Sequence, residues 1–127
     1  MSDTELLIER LTRILQALER LPRRFAGIKS PSDFLATDDG IDRMDAICMM
    51  LIAVGEEFKT IDRQTEGKLF SRYPDVKWRG VMGVRDVLAH GYFEVNVEQL
   101  FGICRNDVPQ LIETVRRMIR EARAEAP

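Results

Sequence analysis

The chain has 127 residues, 45% hydrophobic and 31% charged, with 19 basic side chains against 21 acidic ones and a net charge of −2. That size and mix suit one globular domain over residues 1–127 and exclude disorder and a uniformly basic nucleic-acid coat. A single histidine, His90, excludes a multi-histidine metal site within one chain, and no apolar run approaches the ~18 residues of a membrane span.

Helix signals follow one another along the chain. Leu7, Leu11, Ile14, Leu18 and Leu21 recur at alternating spacings of four and three, forming one apolar stripe. Ser2 with Glu5 forms a capping box, and Pro22 ends the pattern. A polar connection covers residues 23–37. Asp38, Asp39 and Asp42 then open a second helix, where carboxylates suit the positive end of the dipole. Its apolar face runs Met44, Ile47, Leu51, Val54, Phe58 and Ile61. A short third helix is expected over 65–72, broken by Tyr73-Pro74.

A fourth helix is expected over 77–90, stopped by Gly91 as a left-handed cap. An extended piece over 92–95 leads to Asn96, which with Gln99 gives another capping signature. The last helical region carries Leu100, Cys104, Leu111, Val115, Met118 and Ile119. Pro109 should interrupt it, with Asn106 or Asp107 restarting the helix as a cap. No segment alternates like a strand over a useful length. The expected fold is all-α, an up-and-down helical bundle of four main helices plus a short one, without internal repeats.

Composition adds three expectations. Cys48 and Cys104 are far apart and suggest reduced thiols rather than a disulfide framework. The first residues lack a basic-then-apolar signal pattern, so a cytoplasmic location is expected. Of the basic residues, 15 are Arg and 4 are Lys. Arg presents the flat donor fork that phosphates accept. Residues 31–67 hold nine acids against Arg43, Lys59 and Arg63. Over 71–93 the balance reverses, with Arg72, Lys77, Arg79 and Arg85 against Asp75 and Asp86 around the only histidine.

Within that basic stretch, Asp86 and His90 are four residues apart and share one helical face, so the carboxylate can orient the imidazole and favour its charged form. Arg85 starts five positions earlier, a rise of about 7.5 Å, and its long side chain can reach the same phosphodiester. Tyr92 can add a hydroxyl. Equally, a histidine in a last helical turn can simply cap carbonyls.

The Arg85-to-His90 spacing, the polar residue after the arginine and Tyr92 two positions beyond the histidine together resemble the signature of the HEPN superfamily. The likeness is to the HepT-like toxins, whose antitoxins are minimal nucleotidyltransferases. Tyr73-Pro74-Asp75-Val76-Lys77-Trp78-Arg79 upstream, Ala89-His90-Gly91-Tyr92-Phe93 through the motif and Asn106-Asp107-Val108-Pro109 downstream resemble that family as well. Many relatives carry Asn where this chain has Asp86.

The resemblance implies a HEPN-like bundle and a metal-independent endoribonuclease that needs no cofactor. Arg85 would hold phosphate, and His90 would act as base or acid. Asp86 would position His90, or else pair with Arg85. One chain has too few histidines for both proton transfers, so a homodimer that brings two copies to one RNA cleft is expected. The resemblance also implies a nucleotidyltransferase antitoxin of the MNT type that transfers AMP to Tyr92, although an ordinary aromatic at a helix end is the plainer reading. A non-catalytic scaffold or substrate-binding subunit of a nucleotidyltransferase complex is the other class.

Four further signals have plainer explanations. Gly80-Val81-Met82-Gly83 spells a KH-type core but lies in a helical stretch, where the glycines would allow close helix contact. Asp38, Asp39, Asp42 and Asp45 fit a helix start better than a magnesium cluster. Glu56-Glu57 reads as a solvated or interface face. Arg116, Arg117, Arg120 and Arg123 read as a solvated face that could also bind RNA or an acidic partner.

Overall fold

A computed structural model describes residues 2–88 and 94–126. Helix α1 (Asp3–Glu19) starts where Ser2 Oγ accepts the Glu5 N–H at 3.1 Å, as the capping box requires. Its stripe buries Leu11, Ile14 and Leu18 completely or nearly so. Each such side chain contributes about 1.5–3 kcal/mol. The helix ends at Glu19, and Pro22 sits in the first turn of a short α2 (Leu21–Phe25) instead of closing the pattern. Proline there lacks only an N–H that a first turn leaves unused.

The expected connection over 23–37 is partly helical. It includes the end of α2 and a one-turn α3 (Asp33–Ala36). Asp33 organises the turn before α3 by accepting the N–H groups of Lys29 and Ser30 at 2.8 and 3.1 Å. Those bonds, Lys29's first, hold its carboxyl below the usual range. Arg43 Nη1 reaches back to the carbonyls of Arg23, Arg24 and Ala26 at 3.1–3.3 Å, closing the end of α2. Phe25 joins Phe34 and Phe101, with ring centroids at 6.2 and 5.3 Å.

Helix α4 (Asp38–Gln64) is the central member, about 40 Å long. Thr37 Oγ1 caps it by accepting the Gly40 N–H at 3.0 Å, and all six residues of the expected apolar face are buried. Asp38 and Asp39 lie in its first turn, and Asp39 pairs with Arg43 at 2.7 Å. Glu57 is an inter-helix tie, bound to Arg10 of α1 at 2.6 Å, while Glu56 pairs with Lys59.

The expected helix over 65–72 is absent. Glu66 (φ 54°) and Gly67 (φ 74°) are left-handed, and the Gly67 N–H reaches back to the Asp62 carbonyl at 2.9 Å. This Schellman-like closure stops α4 and leaves only a 3₁₀ turn at Phe70–Arg72. Beyond it, Trp78 stacks on Phe70 at 4.2 Å, meets Phe58 edge-on at 5.2 Å and donates its indole N–H to the Tyr73 carbonyl.

Residues 78–88 form two short helices, α5 (Trp78–Met82) and α6 (Val84–Leu88), with Gly83 between them. After residues 89–93, the Asn96 side chain caps α7 (Val97–Gly102) by accepting the Gln99 N–H at 3.0 Å. The last region is then continuous. A π turn (Ile103–Asp107) leads into α8 (Val108–Glu125), and Pro109 does not interrupt it. The wider turn absorbs the carbonyl that proline cannot satisfy. Asp107 keeps helical angles and makes no capping bond, and Asn106 lies inside the turn.

Helix α1 packs on α8 and α4, and α4 also carries α2, α3, α5 and α6. Their buried side chains form one continuous core. The result is the expected all-α helical bundle, with no extended strand among the described residues. Among them, no helix is long and apolar enough to cross a membrane.

Candidate active site

Arg85 and Asp86 lie on α6, a five-residue helix held from both ends. Val84 and Leu88 are buried at 6% and 2% exposure, which turns the residues between them outward. The Leu88 carbonyl accepts the Asn96 N–H at 2.8 Å, pinning together the chain on either side of the following segment. Among the described residues, neither Arg85 nor Asp86 has an ion-pair or hydrogen-bond partner for its side chain, so the two do not pair with each other. Lys77 and Arg79 are likewise exposed without a described ion pair, whereas Arg72 is bound to Glu125 at 3.0 Å. His90 and Tyr92, together with the Gly91 cap, lie outside the described residues, as does the start of the extended piece over 92–95.

The position of α6 is set from below by Gly55 of α4. A Cβ at Gly55 would lie 2.9 Å from the Val81 carbonyl oxygen and 3.3 Å from Val84 Cγ1, so only glycine allows this approach. From the sequence, close helix contact is expected at Gly80 and Gly83 instead. A Cβ at Gly80 would meet nothing within 4 Å, and Gly83 meets only the Arg79 carbonyl as it breaks the helix. The contact glycine is on the opposing helix, where nothing in the local sequence marks it.

A cavity of about 330 Å³ opens beside α6. Leu51 and Val54 of α4, Val84 of α6, Ile103 of the π turn and Leu111 of α8 line its apolar part. Asp75, Lys77, Gln99, Asp107 and Gln110 supply its polar groups. Gln110 Nε2 donates to the Asp75 carbonyl at 3.3 Å, tying α8 to the segment before α5. Thus the stretches around Asp75 and Asp107, over 30 residues apart, meet at one opening. No local sequence pattern joins the two stretches.

The other reactive groups are quiet. Burial pushes the Cys48 thiol up to about 11, with Asp45 adding to it, and the Cys104 thiol up to about 12. The Tyr73 hydroxyl is raised to about 12 by burial and by its 2.7 Å hydrogen bond to Glu121. On α8, Arg116 is held by Glu19 and Glu113, and Arg117 lies 4.9 Å over the Tyr73 ring, so those two arginines serve packing. Among the described residues, no group of three His, Cys, Asp or Glu side chains could hold a metal ion.

The chain as a whole is similar to known proteins. The chain is similar to a candidate RNase of Methanocaldococcus jannaschii, 31% identical over 80 residues, and spans 63% of each chain. A candidate RNase of Caldanaerobacter subterraneus subsp. tengcongensis is 31% identical over 111 residues, 87% of this chain and 92% of the relative. A protein of Thermococcus cleftensis, named probable ribonuclease HepT, is 34% identical over 67 residues, 52% of this chain and 56% of the relative. The chain thus spans less than two thirds of the first and third of these relatives. No solved structure matches it significantly. The family model for HepT-like ribonucleases matches residues 14–118, most of the bundle from α1 to α8, and the chain belongs to that HepT-like family.

Proposed function

We propose that the chain is a metal-independent endoribonuclease toxin, working as a homodimer and restrained by a nucleotidyltransferase of the MNT type. The observation that carries this reading is α6 itself. In a member of a ribonuclease family, it presents Arg85 and Asp86 outward and without side-chain partners among the described residues, directly before the segment that contains His90 and Tyr92. An exposed, uncommitted arginine is available to phosphate in a way that Arg72 or Arg116 is not.

In the proposed reaction, the RNA 2′-hydroxyl loses its proton to a base and attacks the adjacent phosphorus. The bond to the 5′-oxygen breaks, an acid protonates that oxygen, and a 2′,3′-cyclic phosphate and a 5′-hydroxyl remain. His90 of one protomer supplies the base and His90 of the other the acid. Arg85 binds the phosphate and its developing charge. Asp86, four residues before His90, is the positioning residue for the imidazole. Transfer of AMP to the Tyr92 hydroxyl would add bulk and negative charge beside the histidine and block RNA.

The test is incubation of purified protein with single-stranded RNA in the presence of a chelator. Wild type is expected to give cyclic-phosphate ends. His90→Ala and Arg85→Ala, confirmed folded and dimeric, are expected to give none. Intact RNA with folded wild type would instead favour the non-catalytic subunit.

A further inference from the structure

We infer that the cavity beside α6 is a subsite for one unpaired nucleobase of the RNA, a base bearing an amino group, guanine foremost. This rests on the ribonuclease reading, and it specifies which feature of the substrate the protein reads. Phosphate contacts by Arg85 would position RNA without regard to sequence, whereas a base pocket next to them fixes register and preference.

Three observations converge. First, the cavity adjoins the helix that presents Arg85, because Val84 and Val87 line it on either side of Arg85 and Asp86 in sequence. Val87 is 37% exposed, which leaves its side chain available as a wall of the open pocket. At about 330 Å³, the space holds one compact group. A docked helix would need an extended groove with anchors over two turns.

Second, the polar groups at the cavity are uncommitted. The side chains of Asp75, Lys77, Gln99 and Asp107 make no hydrogen bond or ion pair with any described residue. An apolar pocket with convergent free polar groups is the form that ligand sites take. Third, the electrostatics separate base from backbone. Lys77, Arg79 and Arg85 are exposed without described ion pairs and suit an approaching polyanion, which disfavours a cationic peptide side chain as the occupant.

The acceptors outnumber the donors. Asp75 and Asp107 offer carboxylates, and Gln110 has already committed one of its two amide N–H groups to the Asp75 carbonyl, while its oxygen is still available. Guanine presents adjacent N1–H and N2–H donors that match the two oxygens of one carboxylate. Uracil presents a single donor between two carbonyls, which carboxylates repel. The amino-bearing base therefore wins.

Two readouts test this with the full-length protein. Isotope-labelled protein is titrated with GMP and with UMP, following the amides of Val84, Val87, Gln99 and Asp107. GMP is expected to shift them with at least about fivefold tighter binding than UMP. Cleavage sites on a mixed single-stranded RNA are then mapped for wild type, Asp107→Asn and Val87→Trp. Asp107→Asn should lose the guanine preference, and Val87→Trp, which fills the opening, should lower kcat/KM about tenfold. Asp107 is exposed and uncommitted, so its variant carries the test even if Val87→Trp fails to fold. Equal or absent binding of the two nucleotides, or an unchanged cleavage pattern in Asp107→Asn, would overturn the subsite. If GMP binds as expected but wild type leaves RNA intact, the pocket stands and the nuclease reading fails.

Discussion

Gly55→Ala tests the geometry that positions α6. Alanine in the middle of a helix is favoured over glycine by about 1 kcal/mol, so on propensity alone the change should stabilise α4. The added Cβ, however, would sit 2.9 Å from the Val81 carbonyl oxygen and 3.3 Å from Val84 Cγ1. The nearer atom is backbone and cannot rotate away, so α5 and α6 must move. Overpacking of that kind costs about 1–3 kcal/mol, which meets or exceeds the propensity gain. The expected net effect is a loss of up to about 2 kcal/mol, or roughly 8 °C in Tm for a chain of this size. Gly102→Ala is the control, because a Cβ there meets nothing within 4 Å and the backbone is helical (φ −61°, ψ −41°). It should gain about 0.5–1 kcal/mol. Thermal and urea denaturation followed by circular dichroism would compare the two, with RNA cleavage measured alongside. Gly55→Ala should lose more activity than stability, since the displaced element carries Arg85. If Gly55→Ala raises Tm as much as Gly102→Ala does, the close approach of α4 to α5 and α6 is wrong.

The remaining predictions address the core and its titration. Trp78→Phe removes the indole N–H that the Tyr73 carbonyl accepts at 2.9 Å in a buried setting. It should cost about 1–3 kcal/mol by urea denaturation, and a smaller loss would mean that this carbonyl finds another donor. Glu57→Ala breaks the 2.6 Å tie to Arg10, whose Nε is already buried without a described partner. A loss of about 1 kcal/mol is expected, and an unchanged urea midpoint would mean that the tie contributes nothing. Cys48, Cys104 and Tyr73 all hold their protons to higher pH when folded, with thiols raised from 9.0 to about 11 and about 12 and the phenol from 10.0 to about 12. The unfolded chain therefore binds fewer protons above pH 9, so stability is full below that pH and falls toward pH 12. Denaturation midpoints constant from pH 8 to 11 would contradict it. Alkylation at pH 8 should be slow at both thiols until the chain unfolds.

Much of the bundle was legible because its signals are local. Ser2, Thr37 and Asn96 each accept the N–H of the residue three positions further on, and the stripes of α1 and α4 repeat within single turns. Two of the local readings that failed did so for local reasons that residue type alone does not display. Glu66 adopts a left-handed angle that non-glycine residues seldom take, so a helix ends where the pattern suggested another. A π turn takes up Pro109, so a helix continues where the proline suggested a break.

At the candidate site, the motif residues Arg85, Asp86, His90 and Tyr92 are legible in the sequence as candidates, because their spacing along one short stretch needs no knowledge of the fold. The surroundings are different. That Gly55 admits α6, that Arg72 is committed to Glu125 while Arg85 has no partner among the described residues, and that Asp75 and Asp107 line one cavity are consequences of long-range packing. Side chains distant in sequence compete for the same partners and the same space. Only the tertiary structure decides that competition, and it sets the helix that carries Arg85, which has no side-chain partner among the described residues, beside an apolar pocket.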